Sequence, residues 1–272
     1  MRLLKKLYSA LTNLFKRKEV SSYDILERFN LVRNTGTVME QTSMSERAKL
    51  ICKILKEYGI FFEVHYETTK EGYYIYNIVV PYSLSDLSDE VVIHSVHHDV
   101  RNINSLNVLD NTASVANVLA LVINLRGKRL AKKTMYIFTD GEEFGLFGAE
   151  FIANRIKRGQ FGKVISIFVY ELCGSGKIWT NELGNDFIKE KLNNINKNMV
   201  VHYTPHNDVN AYTEVNLPAV CLGTMPDEQM KILFETGTCD YWKKCHKSDD
   251  DMNFANREDM ELFVNQIKTF SL

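Results

Sequence analysis

The 272-residue sequence lacks several features that would identify a function by themselves. Its 33 Lys and Arg residues nearly balance 34 Asp and Glu residues, so no overall positive field attracts nucleic acid. The five cysteines are odd in number and contain no CxxC pair, which argues against a disulfide framework and favours a reducing compartment. No apolar run of about 18 residues stands out, so we expect no membrane span. We therefore expect a cytoplasmic protein that does not bind nucleic acid.

The N-terminal stretch MRLLKKLYSALTNLFKRK carries basic residues at both ends. It has neither the uninterrupted apolar run nor the cleavage site of a secretory signal. Its apolar residues recur at helical spacing opposite a cationic face: Leu3, Leu4, Leu7, Leu11, Leu14 and Phe15. We assign residues 1–20 to a basic amphipathic helix that either docks on the protein body or contacts an anionic membrane surface through residues 1–18. Docking is favoured, because nothing supplies the second signal that stable anchoring needs.

Helix and strand patterns alternate along the rest of the chain. Apolar runs predict strands over 61–66, 73–80, 91–96, 134–139, 164–170 and 219–222, the first two alternating as in half-exposed antiparallel strands. Helical spacing predicts helices over 112–125, 146–157, 185–196 and 257–269, and Ser43-Met44-Ser45-Glu46 has the form of a capping box before another helix. Helices between strands imply parallel crossovers. We therefore predict a single α/β domain with a mixed, mostly parallel central sheet and helices on both faces.

Acidic and imidazole side chains follow the predicted strands, where ligands bind in such sheets. The sequence places His97-His98-Asp99 after 91–96, Asp140-Gly141-Glu142-Glu143 after 134–139, Glu171 after 164–170, and Asp110 at the start of the helix over 112–125. Carboxylates crowded at one sheet edge repel one another unless a cation neutralises them. Mixed oxygen and imidazole ligands suit zinc, with manganese or cobalt as alternatives. The sequence therefore predicts a metal centre.

The ordered motifs HHD, LDNTASVANVLAL, FTDGEEFGLFGAEFIA, YELCG, NLPAV and HKSDD resemble the family of di-zinc aminopeptidases. This family includes bacterial leucyl-type aminopeptidases and, more distantly, animal glutaminyl cyclases. The resemblance runs from about residue 40 to the C-terminus, and we assign residues 21–272 to the catalytic domain. It implies a zinc-exopeptidase-like fold and hydrolysis of the N-terminal residue of a peptide through a hydroxide that bridges two zinc ions.

The resemblance also implies a role for each residue of the centre. The two zinc ions would be held by His97, Asp110, Glu143, Glu171 and His246, with Asp110 bridging them. Asp99 would orient the His97 imidazole, and Glu142 would be the general base. The peptide bond after the bridging aspartate is often cis in relatives. Glu171 stands where the family usually has Asp. This departure weakens the inference of amino-terminal specificity, so reactions on other substrates by the same scaffold are retained as alternatives.

Several neighbouring residues compete for these roles. The H-x-D register selects His97 over His98, and His94, inside a strand, is predicted to be a hydrogen-bonded core residue. His246 follows no strand, so its alternative is an ordinary surface histidine. Cys239 and Cys245 are rival ligands, although thiolates are less expected among carboxylates. Asp250 completes the H-x-x-x-D pattern of the family.

The pocket and the substrate are less well defined. Asp208 and Tyr212 precede NLPAV in a segment that lines the pocket in the family, although Val209 replaces its usual His. We expect the rim to come from 201–216 and 236–247. Aminopeptidase activity on peptides is the leading hypothesis, and the alternatives are carboxypeptidase, deacylase or glutaminyl cyclase activity. An inactive interaction module is less favoured because Glu142 and Asp110 are retained, and the oligomeric state stays open.

Overall fold

The computed structural model describes residues 19–32, 36–82 and 88–272. The helix predicted over 1–20 lies outside the described residues, apart from Glu19 and Val20. The strands are β1 Glu63–Thr68, β2 Tyr74–Val80, β3 Glu90–His97, β4 Lys133–Thr139, β5 Lys163–Tyr170, β6 Lys177–Thr180, β7 Val200–Val201 and β8 Ala219–Met225. The helices are α1 Ser22–Phe29, α2 Glu46–Glu57, α3 Ala113–Leu125, α4 Phe147–Lys157, α5 Asp186–Ile195, α6 Asp208–Thr213, α7 Asp227–Thr236, α8 Asp240–Lys244 and α9 Arg257–Ile267.

These strands form an eight-stranded sheet in the order β1-β2-β4-β3-β5-β8-β6-β7. The central strand β3 is parallel to both β4 and β5, and β8 continues the parallel pairing beyond β5. A short connection joins β1 to β2, so this hairpin is antiparallel, as is the pairing of β2 with β4. The prediction of a mixed, mostly parallel sheet is confirmed.

Helices cover both faces of the sheet because the central strands are apolar on both sides. Within β3, Val92 and Val96 point to the face covered by α1, α2, α3 and α9, while Val91 and Ile93 point to the face covered by α4 and α6. This alternation follows from the two-residue repeat of a strand. Two packed cores therefore hold β3 rigidly up to its last residue, His97.

The helix α3 lies almost entirely within the core. By length and composition alone, Val108–Leu125 is apolar enough to cross a membrane, which corrects our expectation that no such stretch exists. In this protein 94% of that stretch is buried against other parts of the chain, and helices of a protein core pass the same test. Burial on all sides explains why the segment has no polar face.

The structure corrects several predicted boundaries. The N-cap of α2 is Ser45, whose hydroxyl accepts the N–H of Ala48, so the helix starts after Ser45 and not after Ser43. Strand β2 is mostly buried, because it lies between β1 and β4 instead of at an edge. Strand β8 continues to Met225, because β6 pairs with it through the Trp179–Gly223 register. Helices α6, α7 and α8 and strands β6 and β7 were not predicted, and neither was α1, although its Ile25, Leu26 and Phe29 recur on one buried helix face.

Candidate metal centre

The first half of the site lies where β3 ends. His97 is 1% exposed, and its Nε2 atom is 3.2 Å from Asp110 Oδ1 and 3.4 Å from Glu171 Oε2. Its other ring nitrogen, Nδ1, is 3.4 Å from Asp99 Oδ1. Glu171 directly follows β5, the parallel neighbour of β3, so the sheet itself brings these two residues together.

The second half is built around His246. Its Nε2 atom is 2.9 Å from Glu143 Oε2 and 3.1 Å from Asp110 Oδ2. His246 has a φ of +64°, so a left-handed turn after α8 directs this loop residue into the site. The side chain of His246 is 49% exposed, whereas that of Glu143 is 2% exposed. This half of the site is therefore open to solvent on the histidine side.

Asp110 stands between the two halves, with one carboxylate oxygen facing each histidine. The peptide bond between Asp110 and Asn111 is cis, as the family resemblance implied. The Asp250 carboxylate accepts the backbone N–H groups of Leu109 at 2.7 Å and Asp110 at 3.2 Å. The Asn111 side chain donates to Glu171 Oε2 at 2.8 Å. Bonds from both sides thus fix the position of Asp110.

A tight turn after β4 presents Glu142 and Glu143. The two oxygens of Asp99 accept the N–H groups of Glu142 and Glu143 at 3.1 and 3.2 Å, so Asp99 organises this turn as well as facing His97. Gly148 closes the turn by donating its N–H to the Asp140 carbonyl at 2.8 Å. A Cβ atom on Gly148 would lie 2.3 Å from that carbonyl oxygen, so the close approach requires glycine.

Buried negative charge dominates the electrostatics of the centre. Burial raises the pKa of Glu143 and of Glu171 to about 7, and raises that of Glu142 well above its usual range. Burial opposes protonation of His97, but the nearby carboxylates of Glu171 and Glu142 raise its pKa well above 6.5. Hydrogen bonds to Asp110 and Glu143 raise the pKa of His246 to about 10. A divalent cation would relieve this surplus of negative charge.

The donor set fits metal ions. Within the described residues, ligand atoms lie within 4.8 Å of one another in three groups: His97–Asp110–Glu171, Asp110–Glu143–His246 and His97–Glu142–Glu143. Several buried atoms of these side chains have no hydrogen-bond partner among the described residues: Nδ1 and Nε2 of His97, Oε1 of Glu143 and Oε1 of Glu171. Buried polar atoms without partners are costly, so such atoms facing one another are what a metal centre requires.

The centre opens into a cleft of about 420 Å³. The acidic groups Asp110, Glu142, Glu143 and Glu171 line it together with His246. The lining also includes apolar side chains, those of Leu146, Leu172, Trp179, Pro205 and Trp242. The cleft can therefore hold a cation-bound polar group against its acidic residues and an apolar group against its apolar residues.

The two pocket residues predicted from the sequence do not line the cleft. Asp208 and Tyr212 are both fully buried and lie outside the lining of the cleft. Asp208 Oδ2 accepts the Thr139 hydroxyl at 2.5 Å, and the Tyr212 hydroxyl is 3.0 Å from Ser95 Oγ. Asn207 caps α6, which packs on the sheet and turns both side chains inward. The preceding residues 204–207 line the cleft instead.

The competing histidines lie where the sequence indicated. His98 Nε2 is 3.1 Å from the Tyr76 carbonyl oxygen, and His98 is absent from the three ligand groups of the described residues. His94 is fully buried, with Nδ1 2.6 Å from the Tyr170 hydroxyl and Nε2 3.0 Å from Ser271 Oγ. Burial lowers the pKa of His94 to about 3, so it is a neutral core residue.

The cysteines take no part in the ligand groups of the described residues. All five are free thiols. Cys239 is fully buried with its Sγ 4.0 Å from Met225 Sδ, so it packs in the core. Cys245 lines the cleft beside His246, where burial raises its pKa above the usual range and keeps it a neutral thiol. Neither cysteine therefore replaces His246.

Sequence reasoning missed Arg47, a cation buried behind the centre. It is 3% exposed, its Nε donates to the His98 carbonyl at 2.8 Å, and Asp99 is the acid that favours its charge most. Burial lowers its pKa to about 10, which leaves it charged at neutral pH. The signal was present in the sequence, because Arg47 interrupts the apolar side of α2 beside Ile51. Trp179 was missed because β6 is only four residues long.

A carboxylate–imidazole centre at the carboxyl edge of a mainly parallel α/β sheet defines a metal-dependent enzyme class. The sequence profile of peptidase family M28 matches residues 77–270. The chain therefore belongs to peptidase family M28, which confirms the resemblance. No curated protein matches the sequence.

Solved structures share the fold at low sequence identity. The Legionella pneumophila LapA aminopeptidase aligns with a TM-score of 0.72 at 14% identity, covering 98% of this chain and 72% of that one. A glutaminyl cyclase from Fimbriiglobus ruber aligns with the same TM-score of 0.72 at 14% identity, covering 92% of this chain and 93% of that one. BSAP, a zinc aminopeptidase from Bacillus subtilis, aligns with a TM-score of 0.62 at 15% identity, and the chain spans 50% of the length of BSAP. At these identities the likeness concerns the fold alone.

Proposed function

We propose that this family M28 peptidase is a zinc-dependent aminopeptidase with two metal positions. The observation that carries the proposal is the division of Asp110 between two ligand groups: Oδ1 lies 3.2 Å from His97 Nε2, and Oδ2 lies 3.1 Å from His246 Nε2. A carboxylate placed in this way is suited to bridge two cations. His97 and Glu171 would complete one position, and Glu143 and His246 would complete the other.

Glu142 is the residue best placed to move protons. Zinc bound at this centre supplies Lewis-acid polarisation of a carbonyl and lowers the pKa of water to near neutrality. Glu142 lines the cleft beside the ligands, and its backbone is held by Asp99. Burial raises its pKa, which strengthens this carboxylate as a proton acceptor. Glu142 would accept the proton of the attacking water and deliver it to the leaving amine.

The cleft supports removal of terminal residues. Its volume of about 420 Å³ is within the range of small-ligand sites and accommodates only a few residues of a peptide. Leu172 and Trp179 in its lining are each less than one-tenth exposed, so packing fixes the positions of these apolar side chains at the cleft. Peptides with an apolar or aromatic N-terminal residue are the substrates that these side chains favour.

Glutaminyl cyclisation is the second candidate. The chain covers 93% of the Fimbriiglobus ruber cyclase and 96% of a Porphyromonas gingivalis cyclase, against 72% of LapA. In that reaction the N-terminal amine attacks a glutamine side-chain amide and releases ammonia. The two ligand groups that share Asp110 favour hydrolysis, because a pair of metal ions activates water for attack on an amide.

A substrate panel tests the proposal. Purified protein is assayed on the p-nitroanilides of leucine, alanine and glutamate, which have a free amino group. N-acetyl-leucine p-nitroanilide tests for deacylase activity, and a dipeptide with a blocked amino group and a free carboxyl group tests for carboxypeptidase activity. Glutamine p-nitroanilide tests for cyclisation, which is measured as the release of ammonia. We expect hydrolysis of free aminoacyl compounds, leucine above glutamate, and about two zinc ions per chain by elemental analysis. Turnover restricted to blocked substrates would indicate a deacylase or carboxypeptidase, and cyclisation without leucine release would indicate a cyclase.

A further inference from the structure

An exposed apolar surface adjoins the cleft. Tyr203 is 76% exposed and Phe234 is 55% exposed, and we call these two residues the downstream patch. Large apolar side chains in solvent are ordinary when isolated, whereas a group that adjoins a binding cleft indicates contact with a ligand.

The downstream patch is continuous with the cleft through a chain of ring contacts. Trp242 lines the cleft, and its ring centroid is 6.0 Å from that of His202. The His202 ring meets Phe234 edge to face at 5.0 Å. Tyr203 directly precedes Thr204, which also lines the cleft. A molecule that extends out of the cleft on this side therefore passes directly onto the patch.

The backbone at this position is also available. Strand β7, Val200–Val201, is the last strand of the sheet and pairs with β6 alone among the described strands. His202 donates its N–H to the Thr180 carbonyl at 3.0 Å, so it continues the inward pairing. The outer edge of β7 faces away from the sheet, and such edges can bind an extended peptide through main-chain hydrogen bonds.

We propose that the downstream patch binds the substrate itself, at the second and third residues after the scissile bond, and prefers apolar or aromatic side chains there. This inference rests on the proposed function. The cleft has room for only the residues next to the cleaved bond, so the rest of a longer peptide must leave over the rim. Continuity with the cleft identifies the occupant as an extended peptide chain. Single amino-acid derivatives do not reach the patch.

A matched control surface exists at the other edge of the sheet. Phe61 is 69% exposed just before β1, which is the first strand in the sheet order, whereas β7 is the last. Substituting Phe61 removes a comparable exposed aromatic side chain far from the cleft. The Phe61→Ser variant therefore controls for general effects on solubility and stability.

Peptide length and sequence supply the test. The wild-type protein, the Tyr203→Ser/Phe234→Ser double variant and Phe61→Ser are assayed on leucine p-nitroanilide, Leu-Gly-Gly-Gly and Leu-Gly-Phe-Gly. We expect kcat/KM of the wild type to be about 5- to 30-fold higher for the Phe peptide than for the Gly peptide, the factor given by partial burial of one aromatic side chain. The double variant loses this gain and retains its activity on leucine p-nitroanilide, whereas Phe61→Ser retains both.

The outcomes separate this inference from the proposed function. The proposed role of the downstream patch is overturned if the wild type does not prefer the Phe peptide over the Gly peptide, or if the double variant keeps that preference. If the double variant loses the preference for the Phe peptide and also sediments as a monomer where the wild type sediments as a dimer, the patch binds a second copy of the chain. That result also overturns the proposal. A binding measurement that does not depend on turnover uses the Glu142→Gln variant and fluorescein-labelled forms of the two peptides. Tighter binding of the Phe peptide there supports the patch even if leucine p-nitroanilide is not hydrolysed, a result that would overturn only the aminopeptidase proposal.

Discussion

Asp250 positions Asp110 through the backbone, because its fully buried carboxylate accepts the Asp110 N–H at 3.2 Å and the Leu109 N–H at 2.7 Å. Asp250→Ala leaves these N–H groups without a partner and lets the proposed bridging ligand move. We expect zinc affinity to fall roughly 10- to 100-fold, the usual effect of removing a group that holds a ligand. Competition against a chromophoric chelator measures the change.

The neighbouring Asp249→Ala is the matched control for Asp250→Ala. Asp249 is exposed and pairs with Lys244 at the surface, whereas the N–H groups of Leu109 and Asp110 donate to Asp250. We expect its zinc affinity to equal that of the wild type. Equal losses in the two variants would contradict the positioning role of Asp250.

Glu142→Gln should remove catalysis while sparing metal binding. The amide keeps the size of the side chain but cannot accept the proton of water, so we expect kcat to fall by roughly 10²- to 10⁴-fold. Zinc content is measured on the same samples and should stay near the wild-type value. Glu143→Gln is the comparison, because Glu143 lies 2.9 Å from His246 Nε2 and its replacement should lower zinc content as well as activity. Wild-type turnover in Glu142→Gln would exclude this mechanism.

His94 makes the core sensitive to acid. Its pKa falls from 6.5 to about 3 through burial, so the folded state keeps the neutral form. A depressed histidine pKa contributes stability that is complete above pH 6.5 and is lost as the pH falls towards 3. At about 1.4 kcal/mol per pKa unit, roughly 2–3 kcal/mol of this contribution is lost by pH 4.5.

The His94→Gln variant isolates that contribution. We expect it to be less stable than the wild type at pH 7.5, because the contacts with Tyr170 and Ser271 are disturbed, and the gap to narrow at pH 4.5. Urea unfolding of both proteins at the two pH values measures the difference in their free energies of unfolding. The carboxylates of the metal centre titrate in both proteins, so their effect cancels in this difference. A gap that is constant or widens in acid would show that His94 does not titrate as described.

Gly148 should tolerate no side chain. An added Cβ would lie 2.3 Å from the Asp140 carbonyl oxygen and 2.4 Å from Asn77 Oδ1, so Gly148→Ala should shift the turn that carries Glu142. We expect a loss of stability of about 1–3 kcal/mol or more, together with a fall in kcat/KM. Gly159→Ala is the control, since its φ of +75° imposes strain but no atom lies within 4 Å of the added Cβ. It should lose stability and retain activity.

The sheet and half of the metal centre were predictable because their residues follow strongly apolar strands. Strands β3 and β5 are buried on both faces, so their apolar runs define where they end, and His97 and Glu171 are placed by those ends. His246 is different. A left-handed turn in a loop after α8 brings it to the site, and no periodic pattern encodes that turn. Only the family resemblance indicated it.

The pocket could not be predicted because it depends on the direction of side chains in short elements. Asp208 and Tyr212 point inward because Asn207 caps α6, and this six-residue helix is too short to show an apolar period. Trp179 lines the cleft because β6 pairs with β8 opposite Gly223, where an added Cβ would lie 2.4 Å from the indole. Both placements are set by tertiary packing.

The long sequence separation of the two halves of the centre has a consequence for folding. His97 ends a core strand, whereas His246 belongs to a C-terminal loop, and Asp110 faces both. A cation bound there would cross-link the loop to the core and bind only the folded chain, so it would shift the folding equilibrium by mass action. Resistance of the C-terminal loop to proteases would then rise with free zinc concentration, and the lifetime of the protein would depend on the supply of its metal.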